Sequence, residues 1–174
     1  AQGKLCMGFL TPITNRDHRF AAMQVTNGIL GGDVTSKLFQ NVREKQSLCY
    51  SIGSGYYAAK GIVLVSAGID FDKEDHVRRE VLSQLEGCQL GQITDEELAA
   101  SKQSLLTALR SVQDSPSAME NYYSAITMAQ TGRSWETHMD LLAKVTKEDV
   151  VACAKTLELH STYFLEGGDF CAAL

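Results

Sequence analysis

Residues 31–57 read GGDVTSKLFQNVREKQSLCYSIGSGYY, and the change of period inside this stretch decides how the chain is built. A double glycine, Gly31–Gly32, interrupts one helical pattern. A short amphipathic segment then runs from Ser36 to Lys45, with Leu38, Phe39 and Val42 directed inward and Thr35 or Ser36 able to cap it. From Leu48 the pattern becomes strand-like: Leu48, Tyr50 and Ile52 alternate with Cys49, Ser51 and Gly53 as far as Tyr57. Arg43 stands near the end of the helical piece and Tyr50 near the start of the strand, seven positions apart.

Upstream, Lys4 to Thr11 alternates, with Leu5, Met7 and Phe9 on one face of a strand that Pro12 ends. Arg16 to Leu30 shows helical spacing through Phe20, Met23, Asn27 and Leu30. Asn15 or Asp17 can cap its start, and Gly31–Gly32 are expected to stop it in the left-handed conformation. Downstream, Ala58–Gly61 reads as a hairpin connection. It leads into Ile62–Ile69 (IVLVSAGI), a β-branched run suited to a central strand.

The second half reads as helical. Asp72 is expected to cap a helix carrying Val77, Val81, Leu82 and Leu85, ending by Gly87 or Gly91. Thr94-Asp95-Glu96-Glu97 has the form of a capping box. Ser115-Pro116 opens a helix to about Thr131, Ser134 another with Trp135, Met139 and Leu142, and Thr146 a last one with Val150, Val151 and Ala154. Ser161–Glu166 returns to strand, and Gly167–Gly168 ends it. Strands and helices do not alternate strictly, so a doubly wound fold is excluded. The expectation is one α+β domain, a two-layer sandwich with helices on one face of a small sheet that is mostly antiparallel or mixed.

With 174 residues, 44% apolar and 21% charged, the chain can build one full core. A net charge of −5 and scattered basic residues point away from nucleic acid, and no apolar run reaches the length of a membrane-spanning helix. Five cysteines, at 6, 49, 88, 153 and 171, form no C-x-x-C pair and suit a reducing compartment such as the cytoplasm. The chain enters a strand at once and lacks an initial Met, so a piece of a longer polypeptide is expected.

Histidines 18, 76, 138 and 160 form neither H-E-x-x-H nor H-x-x-E-H. His76 and Glu80, at i and i+4, read as a surface ion pair, and no metal site is expected in this chain. Gly53-Ser54-Gly55 lies inside a strand, where a phosphate loop cannot form. Glu96–Glu97 serves a helix cap, and Cys49 reads as a small buried residue. No complete catalytic set is present.

Ser36-Lys37-Leu38-Phe39, Arg43-Glu44-Lys45 and Leu48-Cys49-Tyr50-Ser51, following Leu30-Gly31-Gly32, resemble the second, metal-free domain of the insulinase/pitrilysin-type zinc peptidases. These are the inverzincins, which include the mitochondrial processing peptidases. Ile93–Leu98 with Lys102, and Val145–Val150, resemble the family's helix openings in the same order. Ser47 stands where the family commonly has Gly, and Cys49 is the small residue before Tyr50; each can shift the strand that aims Tyr50.

The resemblance implies a clam shell of paired α/β domains in which the first holds zinc through H-x-x-E-H. The second then contributes Arg43 and Tyr50 to bind the scissile carbonyl and the oxyanion formed from it. Arg stays charged and a phenol donates directionally, both suited to that task. The partners implied are an H-x-x-E-H-bearing domain or subunit and a peptide substrate; zinc belongs to the partner, and this chain alone is expected to be inactive. The alternative is a scaffold or regulatory subunit that kept the fold without metal.

Overall fold

Two strands buried on one face, two flanking strands and the apolar faces of the helices account for the architecture seen in a computed structural model, which describes residues 2–167; Gly168 and Cys171 lie outside them. The strands are β1 (Gly3–Leu10), β2 (Ser51–Tyr57), β3 (Ile62–Ile69) and β4 (Glu158–Leu165), in the spatial order β2-β3-β1-β4. Every pairing is antiparallel, which resolves the open choice between an antiparallel and a mixed sheet. Leu5, Met7 and Phe9 of β1 pair with Ala67, Val65 and Val63 of β3, and all six are buried. The intervening residues, such as Lys4, Cys6 and Leu64, lie on the side without helices and are at least partly exposed. Burial on one face only is what the period-two pattern requires.

Six α-helices follow: α1 (Phe20–Asn27), α2 (Glu74–Gln89), α3 (Asp95–Ser111), α4 (Pro116–Ala129), α5 (Trp135–Lys144) and α6 (Lys147–Ala154). The core joins Met23 and Val25 of α1, Val77 and Val81 of α2, Leu142 of α5 and Val150 of α6 to the inner faces of β1 and β3. Four helix starts lie where local chemistry places them. The Thr94 hydroxyl accepts from Glu97 N while Glu97 accepts from Thr94 N, and Thr146 with Asp149 repeats the arrangement. Ser115 caps α4 ahead of Pro116, and Ser134 caps α5.

Several expectations are corrected. α1 begins at Phe20, four residues late; Asp17 instead accepts from Arg19 N and binds the Arg19 guanidinium, holding a turn before the helix. α2 is preceded by a 3-10 turn, Phe71–Lys73, and no side chain caps it, so Asp72 does not act as its cap. β2 starts at Ser51 rather than Leu48, β4 starts three residues earlier than Ser161, and α4 stops at Ala129. His76 makes no ion pair with Glu80, whose carboxylate accepts from Gln46.

Two side chains show how the helical layer is held. Lys37 is 8% exposed, and its Nζ lies 2.8 Å from Glu97 Oε1. Replacing Glu97 by Ala leaves that ammonium without its partner and removes half of a helix cap. A loss of about 3 kcal/mol is expected in chemical unfolding. His138, 6% exposed, donates from Nε2 to Gln24 Oε1 at 2.7 Å and accepts at Nδ1 from the Tyr122 hydroxyl at 3.2 Å. Burial pushes its pKa down to about 4 from 6.5. The unfolded chain therefore binds the extra proton first. Stability is complete above pH 6.5 and falls as pH drops toward 4, by about 3 kcal/mol. His138→Gln should flatten that acid limb in unfolding curves measured across the window; an unchanged limb would assign it to other groups.

Candidate functional site

The segment between α1 and β2 is built from two wide, π-helical turns, Gly28–Gly32 and Leu38–Lys45. Turns of this kind cost hydrogen-bond geometry and occur often at functional sites. The first continues α1 instead of ending it. Gly31 has φ −160° and ψ 18°, so neither it nor Gly32 adopts the left-handed stop expected from the sequence. The requirement for glycine at position 31 is close approach. A Cβ there would lie 2.7 Å from Ser54 Oγ, 2.8 Å from Leu38 Cδ1 and 2.9 Å from Ser54 N. Asn27 completes the junction, accepting at Oδ1 from Ser54 Oγ at 2.9 Å. The turn is thereby seated against β2.

The second turn carries Leu38 and Val42 into the core and leaves Phe39 half-buried. Ser36, itself buried, accepts from Phe39 N at 3.4 Å, a long bond for a cap. The Arg43 guanidinium lies over the Phe39 ring, 4.6 Å from its centre, and its Nε is 3.8 Å from Glu44 Oε1. The stack fixes the cation's direction while its side chain stays 39% exposed. After the turn, Ser47 N donates to Arg43 O and Leu48 N to Val42 O, and Ser47 takes φ 51°. That reversal sends Leu48 and Cys49 into the core and leaves Tyr50 58% exposed.

Arg43 and Tyr50 line one open cleft of about 390 Å³, with Glu44, Ser47, Leu48, Cys49, Asp70 and Lys73. Asp70 and Lys73 are missing from the sequence-based site. The Tyr50 hydroxyl donates to Asp70 Oδ1 at 2.7 Å, and Lys73 Nζ lies 3.0 Å from Asp70 Oδ2. The hydrogen bond to Asp70 holds the Tyr50 pKa above its ordinary value, so the phenol keeps its proton. The same bond, with Lys73, holds Asp70 below its ordinary range. Cys49 is buried, and desolvation raises its thiol pKa, in keeping with a packing role. A second groove, of about 490 Å³, runs along β2 between Gly31–Val34 and the small residues Gly53, Ser54 and Gly55, and is lined in part by the Phe39 ring on which Arg43 rests.

The pattern described as "Peptidase M16 inactive domain" matches residues 1–105. The chain belongs to this peptidase family. Over 166 residues it is 32% identical to the "Probable inactive metalloprotease YmfF" of Bacillus subtilis, covering 95% of this chain and 39% of that protein. It is also 32% identical over 159 residues to an uncharacterized zinc protease of Mycobacterium tuberculosis, covering 90% of this chain and 36% of that protein. A solved structure of a conserved protein from Enterococcus faecalis superposes with a TM-score of 0.90 at 36% identity, over 97% of this chain and 40% of that one. The chain thus spans well under half the length of each of these relatives.

No group of three or more His, Cys, Asp or Glu side chains that could hold a metal ion occurs among the described residues of this M16 domain. Its distinctive feature is the cationic and phenolic pair on a reversal that places a non-glycine residue in the left-handed region. Ser47→Gly should relieve that conformation and raise stability by about 0.5–1 kcal/mol, read as a higher unfolding midpoint. An unchanged or lower midpoint would mean that Ser47 carries no net strain.

Proposed function

We propose that this M16 domain is the metal-free, substrate-binding half of a zinc endopeptidase. A companion domain supplies H-x-x-E-H and the zinc, and Arg43 and Tyr50 donate hydrogen bonds to the scissile carbonyl oxygen as it becomes an oxyanion. The observation that carries this reading is the placement of both donors in one solvent-open cleft. The neighbouring groove along β2 supplies room for an extended peptide beside them. A stacked guanidinium needs little reorganisation when charge develops, a protonated phenol adds a directional donor, and each such donor is worth ~2.7–4 kcal/mol in the transition state. Because the single hydroxyl hydrogen of Tyr50 is directed at Asp70, the phenol must turn from Asp70 to substrate; Lys73 remains to neutralise the carboxylate.

The zinc-protease name carried by a relative supports the peptidase reading. A second reading, a non-peptidase scaffold, is favoured by the word "inactive" in the name of the Bacillus subtilis relative. Free thiols at Cys6, Cys49, Cys88 and Cys153 support a reducing, cytoplasmic setting.

The full-length protein, assayed together with its H-x-x-E-H partner on unfolded polypeptide, should show zinc-dependent cleavage. Arg43→Ala and Tyr50→Phe should each lower kcat/KM by ~10²-fold or more while folding normally. Cleavage unchanged in both variants removes the assigned roles. Absence of cleavage by the paired wild-type proteins favours the scaffold.

A further inference from the structure

On the helical side of the molecule, α1, α4 and α5 enclose a cleft of about 170 Å³ that shares no residue with the Arg43–Tyr50 site. Its walls are apolar where Phe20, Ile126 and Ala129 face it and polar at Gln24, Tyr122 and His138. Arg133 lies at its edge, with its guanidinium 4.6 Å from the centre of the Phe20 ring and Nη2 donating to Asn15 O at 3.3 Å. No carboxylate pairs with Arg133 among the described residues. The adjoining hollow, lined by Arg16, Ala129, Gln130, Thr131 and Arg133, brings up a second cation.

The acids nearby do not balance these cations. Asp17 is taken by Arg19, and Glu136, at the start of α5, makes no ion pair with Arg133 or Arg16. Thr131, which lines both spaces, has a buried Oγ1 without a hydrogen-bond partner in the protein among the described residues. Beside an aromatic wall, a half-buried guanidinium with spare donors and an unmatched hydroxyl are costly as packing alone. Together they suit a planar anion joined to an apolar body.

We propose that this cleft binds a small organic monocarboxylate, its charged end on Arg133 and its apolar body against Phe20 and Ile126. The apolar wall favours a carboxylate carried on an organic body over inorganic phosphate, and the narrow volume restricts that body to about the size of one ring. Tyr122 and His138 line the inner end, where their mutual hydrogen bond leaves a rigid, uncharged floor.

Calorimetric titration of the full-length protein with benzoate, benzamide and inorganic phosphate tests the proposal. Saturable benzoate binding with Kd on the order of 1 mM is expected, with benzamide and phosphate each at least ~10-fold weaker. Arg133→Gln should weaken benzoate by ~10-fold or more. Gln130→Glu, at an exposed position beside the mouth, should weaken it several-fold with the unfolding midpoint unchanged, and it keeps the test open if Arg133→Gln does not fold. No saturable benzoate binding, or binding unaltered by Gln130→Glu and by a folded Arg133→Gln, overturns the proposal. Equal affinity for benzamide overturns the role of the charge, and equal affinity for phosphate that of the apolar wall. Arg43→Ala is expected to bind benzoate as the unmodified protein does, so the result stands apart from the peptidase reading.

Discussion

The carboxylate of Glu97 ties the front of this domain to its back. One oxygen completes the cap of α3 through Thr94 N, and the other receives Lys37 from the segment that also carries Arg43. A mostly buried ammonium has strong reasons to keep its partner, because the alternative is a desolvated charge. The capping box in turn fixes where Glu97 stands. The direction of the Leu38–Lys45 turn is therefore referred to the start of a long helix and not to a loop. Phe39 and Arg43 inherit that reference, as does the reversal at Ser47.

The same segment is clamped from the opposite side by absence of bulk. Gly31 brings the first wide turn against Ser54 and Leu38 at distances that a Cβ would not tolerate. Attraction at Lys37 and close approach at Gly31 thus bracket a region whose own geometry is irregular. The irregularity is useful, since an ordinary α-helix ending at Gly31 would place the following residues differently. Arg43 at the end of the widened turn and Tyr50 beyond the reversal at Ser47 reach a common cleft.

What was legible in the sequence follows the range of the forces involved. Thr94, Ser115, Ser134 and Thr146 could be read as helix starts because each cap is settled within a few residues. The strand faces were legible because Leu5, Met7 and Phe9 repeat with the period of a pleat. Gly31 was misread because the dipeptide signals a turn without saying whether its conformation or its lack of a side chain is needed. Asp17 was misread because its carboxylate competes for Arg19 as well as for a backbone amide. Arg43 and Tyr50 were singled out through a motif, which says nothing of the other residues that line their cleft. Asp70 was hidden in the sheet register: Ser51 pairs with Gly68, so Tyr50 meets the residues just beyond β3. Counting back from the Ala58–Gly61 hairpin could have found it. The Arg133 cleft had no local signal, because α1, α4 and α5 converge from distant parts of the chain.

Strand order has a consequence in time. β1 lies inside the sheet, yet one of its two neighbours is β4, more than a hundred residues later, with all six helices between them. During synthesis, one edge of β1 stays open until residues 158–165 have been made, an interval of roughly 10 to 30 s at common elongation rates. That edge presents unpaired amides and carbonyls next to a strongly apolar strand, the combination that recruits foreign strands. The nascent chain therefore passes through a period in which it is a better acceptor for β-pairing than the finished domain. Closure by the last strand of the sheet ends that exposure, making sheet completion the late, topology-limited event in the birth of the domain.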